Sequence, residues 1–163
     1  MAIMQLQKYF PRFGDVFQHE DGIPIGFTRK TLEITGVAGT KLYIGDFIVM
    51  ASKTAKVGTV PADIDAIKSA PYLGIYAGND AHQNMNTDNP TYNHNVTEFN
   101  TGTEKQDIVV VYRGRIGVAR GGAEGTTRYD SGLRFPKGTV KTDMQAVWDK
   151  LEEQDIHVLR QVP

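Results

Sequence analysis

Short runs of β-branched and aromatic residues, separated by turn-forming residues, constrain the fold of this chain more than any other feature of its sequence. From residue 31 onward the runs are bounded by clusters of Gly, Pro, Asn or Asp, which is typical of strands joined by turns. The sequence therefore predicts a mainly β domain over residues 31–163, folded as a small β-barrel or β-sandwich. The predicted strands are 31–37, 41–51, 72–77, 107–119 and 155–162.

Two segments have the pattern of helices. Residues 61–70 suit a short helix that crosses between strands and ends before Pro71. Residues 142–153 predict a C-terminal helix, which begins with a capping box formed by Thr142 and Gln145. Its apolar residues recur at helical spacing and make one stripe, so we expect Trp148 to be buried against the β core. The stripe consists of Met144, Val147, Trp148 and Leu151.

The first 30 residues interleave aromatic side chains with Pro and Gly, which prevent a long helix or strand. We interpret residues 1–30 as an extended N-terminal arm. Two placements stay open: the arm folds back on the core of its own chain, or it lies on a partner subunit. The candidate anchors in the arm are Tyr9, Phe10, Phe13 and Phe17.

Residues 79–106 differ in kind because they contain every asparagine of the chain. Asparagine side chains compete with strand ladders for backbone hydrogen bonds, so this stretch is predicted to be a long inserted loop. The loop has an excess of acidic residues, whereas residues 107–137 have an excess of basic ones. We interpret the arginines of the basic stretch as candidate protein contacts. They are Arg113, Arg115, Arg120, Arg128 and Arg134.

Composition excludes several classes of protein. The chain has 18 Lys and Arg against 19 Asp and Glu, a net charge of -1, so it lacks the positive field of a nucleic-acid binder. The absence of Cys excludes disulfides, a thiolate nucleophile, Cys zinc sites and iron–sulfur clusters. No apolar run approaches the roughly 20 residues that span a bilayer, and polar residues interrupt the N-terminus where a secretory segment would be apolar.

None of the familiar catalytic patterns is present. Ser131 lacks the upstream glycine of a nucleophile elbow, and His82 and His94 do not have metal-ligand spacing. Asp63 and Asp65 stand two apart in a predicted helix and therefore do not face each other. The glycines around residue 121 have no Lys-Ser or Lys-Thr to complete a phosphate loop. We expect a protein without catalytic residues, metal or cofactor.

The order of the β runs resembles one known family. The segments are GTKLYIGDFIV (39–49), YLGIYA (72–77) and IVVVYRGRI (108–116). This succession is similar to the head decoration, or cement, proteins of tailed bacteriophages, in which a Gly-Asp-apolar strand start precedes a Leu-Gly-apolar strand and an apolar run ending at Gly. The resemblance covers about residues 36–119, roughly half of the chain.

The resemblance implies a small β-barrel or sandwich that binds the capsid exterior and stabilises the shell without catalysis. The implied partners are the major capsid protein and neighbouring copies of the chain, as a trimer rather than a dimer, with no nucleic acid and no membrane. The implied location is the outside of the virion, with assembly in the host cytoplasm. The aromatic anchors and the arginines named above would make the contacts.

Two other functions stay open at this stage. One is a small β domain that binds or processes carbohydrate, with Tyr92, His94 and Trp148 as stacking residues and Asp80 or Glu98 as carboxylates. That function requires Trp148 to be exposed in a groove, whereas the capsid function predicts that it is buried. The other is a tail or fibre component of a virion, which differs only in its partner.

Overall fold

Twelve strands and three helices lie in the part of the chain that the computed structural model describes, residues 11, 13–20, 28–79, 96–99 and 104–159. The strands are β1 (Phe17–Glu20), β2 (Arg29–Gly36), β3 (Lys41–Tyr43), β4 (Phe47–Met50), β5 (Val57–Thr59), β6 (Tyr72–Asn79), β7 (Val96–Glu98), β8 (Glu104–Val111), β9 (Ile116–Ala119), β10 (Gly122–Ala123), β11 (Arg134–Phe135) and β12 (Ile156–Leu159). The helices are α1 (Phe13–Val16), α2 (Ile64–Ser69) and α3 (Lys141–Glu153). The predicted mainly β fold is confirmed.

Five strands close a barrel in the order β2-β5-β4-β6-β8, so the barrel is the correct one of the two predicted architectures. β2 and β5 pair in parallel, and the other neighbours are antiparallel. The interior is filled by fully buried aliphatic side chains, including Leu32, Ile48 and Leu73. A side chain at Gly58 would place its Cβ 2.7 Å from Ile48 Cγ2, so the packed interior leaves space only for glycine there.

A second sheet of three strands, in the order β1-β9-β12, lies beside the barrel. Its central strand, β9, has the sequence IGVA, and all four residues are buried. An apolar strand of this kind needs neighbours on both edges and both faces. β1 supplies one edge in antiparallel pairing, and β12 supplies the other in parallel pairing.

For the arm predicted over residues 1–30, this sheet corrects the extended form at residues 13–20 and places them on the core of their own chain, which is one of the two placements left open. Residues 13–20 form α1 and β1, which fold back on the core of their own chain, and β2 already begins at Arg29. β9 would otherwise have an unpaired edge. β1 covers this edge, and the pairing also buries Phe17. Residues 1–10 lie outside the described part of the chain.

The predicted loop 79–106 is also corrected at both ends. Asn79 is the last residue of β6, and β8 begins at Glu104. Between them, residues 96–98 form β7, which pairs with β3. The alternation of Val96-Thr97-Glu98 explains the strand: Thr97 is buried, and its hydroxyl lies 2.7 Å from the Tyr76 hydroxyl. Residues 80–95 lie outside the described residues.

Helix α3 confirms the predicted C-terminal helix, with Val147, Trp148 and Leu151 buried. The predicted capping box is wrong, because the helix starts at Lys141 and its N-cap is Val140, which makes no side-chain cap bond. Thr142 consequently lies inside the first turn. Asp63 caps α2 instead, where its carboxylate accepts a hydrogen bond from Ala66 N at 2.9 Å.

Two predicted long strands are each divided. The segment 41–51 contains a turn between β3 and β4, and 107–119 contains a bend between β8 and β9. The turn is stabilised by Asp46, whose Oδ2 accepts from Tyr43 N at 2.8 Å. Among the described residues, no helix is long and apolar enough to cross a bilayer.

Candidate functional site

The aromatic anchors predicted in the arm divide into two groups. Phe17 is buried, and the ring of Phe13 stacks on it with centroids 4.5 Å apart. The guanidinium of Arg29 lies 4.3 Å from the Phe13 ring centroid. Phe13 and Phe17 therefore pack within their own chain. Tyr9 and Phe10 lie outside the described residues.

The predicted arginines occupy three different environments. Arg115 and Arg128 are exposed. Arg113 and Arg120 are half-buried, and their guanidinium groups lie over aromatic rings: 5.1 Å from the Tyr112 centroid for Arg113 and 4.6 Å from the Trp148 centroid for Arg120. Arg134 is buried, so the sequence pattern grouped residues that the fold separates.

Arg134 is the centre of a polar cluster inside the molecule. Its Nε lies 3.0 Å from Asp46 Oδ1, and its Nη1 bonds the carboxylate of Asp130. The guanidinium also lies 3.8 Å from the ring centroid of Tyr129 and 4.7 Å from that of Tyr43. Its planar, delocalised cation can satisfy carboxylates at its edge and aromatic rings at its faces at the same time.

This cluster fastens residues 120–139, which we call the clasp segment, to the turn between β3 and β4. The backbone N of Arg134 donates to Gly45 O at 3.0 Å, beside the side-chain bond to Asp46. Gly45 has φ +102°, and a Cβ there would lie 2.6 Å from Gly132 O. The close approach of the two backbones therefore requires glycine at position 45.

Asp46 is the titratable group of most interest in the cluster. Burial is the main cause that raises its pKa to about 6, while the nearby Arg134 cation and the hydrogen bond from Tyr43 act in the opposite direction. Its side chain keeps one fifth of its surface exposed, and it lines an open cleft.

The cleft has a volume of about 170 Å³ and lies between the barrel, α2 and the clasp segment. One side is polar and contains Asp46, Arg134 and Tyr129, with Lys41 at the rim, where it pairs with Glu98 at 3.1 Å. The other side is apolar. It is lined by Leu42, Phe47, Val60, Pro61, Ile67, Phe135 and Pro136.

Asp46 is held on the polar side of the cleft by the chain itself. Both of its oxygens accept hydrogen bonds, one from Arg134 and one from Tyr43. Among the described residues, no group of three His, Asp or Glu side chains could hold a metal ion.

Sequence reasoning missed this cleft and the interior position of Arg134. The local signal was weak: Asp130 and Arg134 stand four residues apart, which is also common on surfaces. The decisive partner, Asp46, is 88 residues away in the chain. No periodicity in the sequence links these two positions.

Trp148 is 6% exposed and packs edge-on against Phe135, with centroids 6.1 Å apart. Its Nε1 donates to Arg120 O at 3.3 Å. The carbohydrate function required Trp148 to be exposed as a stacking residue, and this prediction is therefore wrong. Of the other carbohydrate candidates, Glu98 pairs with Lys41, and Asp80, Tyr92 and His94 lie outside the described residues.

Comparison with known proteins gives no relative. No protein-family model matches the chain, and no curated protein or solved structure matches it.

Proposed function

We propose that this chain is a structural protein of a tailed-phage virion, which binds the outer surface of the capsid and stabilises it without catalysing a reaction. The observation that carries the proposal is the position of the three segments that resemble cement proteins. They contribute β4, β6 and β8, which are neighbours in the barrel order, and they also contain β3 of the β3-β7 sheet and the bend before β9. The parts of the three segments that form barrel strands are therefore adjacent in the barrel, and this adjacency supports the proposal.

The glycines of these segments support the same interpretation. Gly45 and Gly114 both have positive φ, +102° and +91°. Gly74 lies inside the barrel, where a Cβ would be 3.1 Å from Met50 Sδ and 3.3 Å from Val110 Cβ. Residues that are fixed by backbone conformation and close packing are those expected to recur in a shared fold.

The exposed arginines are the groups that we assign to the capsid contact. Arg115 and Arg128 are exposed residues, and Arg113, two residues before Arg115, is half-buried. Guanidinium groups form bidentate hydrogen bonds with carboxylates on a partner protein. Arg134 and Phe17 are left out of this surface because both are buried in their own chain.

The partners in this proposal are the major capsid protein and neighbouring copies of the chain, arranged as a trimer, on the outside of the virion. Each copy would be made in the host cytoplasm and added during assembly. A repeating lattice lets many weak contacts act together, so high affinity at a single site is unnecessary.

The test mixes the purified protein with undecorated capsids of the parent phage. We expect it to sediment with the capsids and to raise the temperature at which they release DNA, measured with a DNA-binding dye. A protein that neither sediments with capsids nor stabilises them would overturn the proposal, and binding to isolated tails alone would favour a tail component.

A charge-matched pair of variants locates the contact. R115A/R128A is expected to lower capsid binding, because it removes two exposed cations from the proposed surface. K53A/K56A removes two exposed cations from the loop between β4 and β5 and serves as the control. Equal loss in both variants would contradict the assignment of the arginines.

A further inference from the structure

Arg120 has a guanidinium group that the fold leaves without a polar partner. Its Nε is buried and has no hydrogen-bond acceptor. In the described part of the chain, this guanidinium makes no hydrogen bond or ion pair, and it lies over the Trp148 ring, 4.6 Å from the centroid. A buried donor without an acceptor costs free energy, so its presence in a folded protein needs an explanation.

The position of Arg120 is fixed by its surroundings. Its backbone O accepts a hydrogen bond from Trp148 Nε1 at 3.3 Å, so the backbone and the side chain of Arg120 both contact the same tryptophan. The next residue, Gly121, has φ +66°, and a Cβ there would collide with Leu133 O. A guanidinium that is already held in place loses little conformational entropy when it binds a ligand.

The carboxylates next to Trp148 in α3 have other partners. Asp149 Oδ1 accepts a hydrogen bond at 2.8 Å from the side-chain amide four residues earlier in the helix. Glu152 Oε1 accepts a hydrogen bond from Val158 N at 2.8 Å. The fold therefore directs both carboxylates to other groups, although Arg120 lies over the same part of the helix.

The donors of Arg120 match a carboxylate. A guanidinium has five N–H donors, and in Arg120 the one on Nε is buried. Because the residue is only half-buried, a ligand can reach the donors on Nη1 and Nη2. Two parallel hydrogen bonds from these nitrogens fit the two oxygens of a carboxylate, and one cation balances its single charge. Arg and Trp are also enriched among the residues that contribute most to protein–protein binding, which favours a protein as the source of the carboxylate.

We propose that Arg120 binds one carboxylate of an aspartate or glutamate side chain on a partner protein. Nη1 and Nη2 donate to the two carboxylate oxygens, and the Trp148 ring supports the guanidinium from the other side. The partner thereby supplies the anion that the chain itself does not place beside Arg120. This inference does not require the partner to be a capsid, so it goes beyond the proposed function.

The test uses Trp148 as the reporter, because it is the one tryptophan of the chain and lies under the guanidinium. The probe is N-acetyl-glutamate α-amide, which has the side-chain carboxylate of a protein glutamate and no other charge. N-acetyl-glutamine α-amide is the uncharged control ligand. At constant ionic strength, we expect the glutamate probe to change the Trp148 emission in a saturable manner and the glutamine probe to leave it unchanged.

Substitutions at position 120 separate the shape of the guanidinium from its charge. R120K keeps a cation on an apolar stem but cannot form two parallel hydrogen bonds with a carboxylate. We expect its affinity for the glutamate probe to fall about tenfold, because one hydrogen bond between charged groups is lost. R120Q removes the cation and should abolish the response. The control is K105Q on β8, which removes an exposed cation that pairs with Glu33 and should bind like the wild type. Circular dichroism checks that each variant is folded.

Four results would overturn the proposal. They are no saturable response in the wild type, an equal response to the glutamine probe, a response that R120Q retains, and tighter binding of inorganic phosphate than of the glutamate probe. The last result would assign Arg120 to a phosphate group instead of a carboxylate. None of these measurements contains capsids, so failure here and failure of the proposed function are distinguishable.

Discussion

The barrel and the clasp segment are held by different kinds of interaction. In the barrel, β2 and β8 alone pair over eight residues, and the interior is aliphatic. The clasp segment has only the two-residue strands β10 and β11, and its attachment is centred on the buried cation of Arg134. Apolar packing spreads its contribution over many contacts, whereas a buried ion pair makes each partner depend on the other.

The largest expected loss of stability follows from replacing Arg134, at the centre of the contact between the clasp segment and the turn before β4. R134M removes the guanidinium and leaves the largely buried Asp46 carboxylate without its cation. We expect the free energy of unfolding to fall by about 3–5 kcal/mol, measured by urea denaturation. Replacing both partners, in R134M/D46L, is expected to restore only part of the loss, because apolar residues can replace the buried ion pair, whereas D46L also removes the hydrogen bond that Asp46 accepts from Tyr43 N. A double variant as unstable as R134M would contradict this account.

The barrel is expected to respond differently to a truncation of similar size. L73A removes a fully buried side chain from β6 and should lower the free energy of unfolding by about 2–5 kcal/mol, because it leaves a cavity. The control is V57A on β5, where the side chain is 56% exposed. Its effect should stay within about 0.5 kcal/mol in the same urea experiment. Equal effects in the two variants would show that the barrel interior is not the source of its stability.

The same contrast explains what could be predicted from the sequence. The barrel strands could be located because β-branched runs with turn residues at their ends are local features, as in β2 and β6. The helix α3 could be located from the spacing of Val147, Trp148 and Leu151. The choice between barrel and sandwich could not be made, because closure depends on which strands pair at long range.

The candidate site could not be predicted either, because it also depends on long-range contacts. Arg134 and Asp46 stand 88 residues apart, and each has an ordinary surface-like sequence context. β5 was also missed, because Val57-Gly58-Thr59 is too short and contains a glycine that only the packed interior explains. Both features come from tertiary contacts that leave no periodic pattern.

Gln154 joins the end of α3 to the barrel and gives a smaller expected effect. Its Oε1 accepts from Leu73 N at 3.0 Å, and its Nε2 donates to Leu73 O at 2.8 Å, so the side chain replaces a strand partner. Q154A leaves both buried backbone groups unpaired and should cost about 1–3 kcal/mol in the urea experiment. Q145A removes an exposed amide from the same helix and is the control. A loss in Q145A as large as in Q154A would contradict the assignment of the effect to the contact with Leu73.

The smallest expected effect concerns the charge of Asp46. Its pKa is raised from 3.8 to about 6 in the folded chain, so the folded state holds this proton more tightly than the unfolded state does. The resulting stability is fully present below pH 3.8 and is lost as the pH rises through about 6. Between pH 7 and pH 5, the wild type should therefore gain about 1 kcal/mol relative to D46N, which cannot titrate at this position. Urea denaturation of both proteins at the two pH values measures the difference. A wild type that loses stability relative to D46N on acidification would mean that the Arg134 cation outweighs burial in setting the pKa of Asp46.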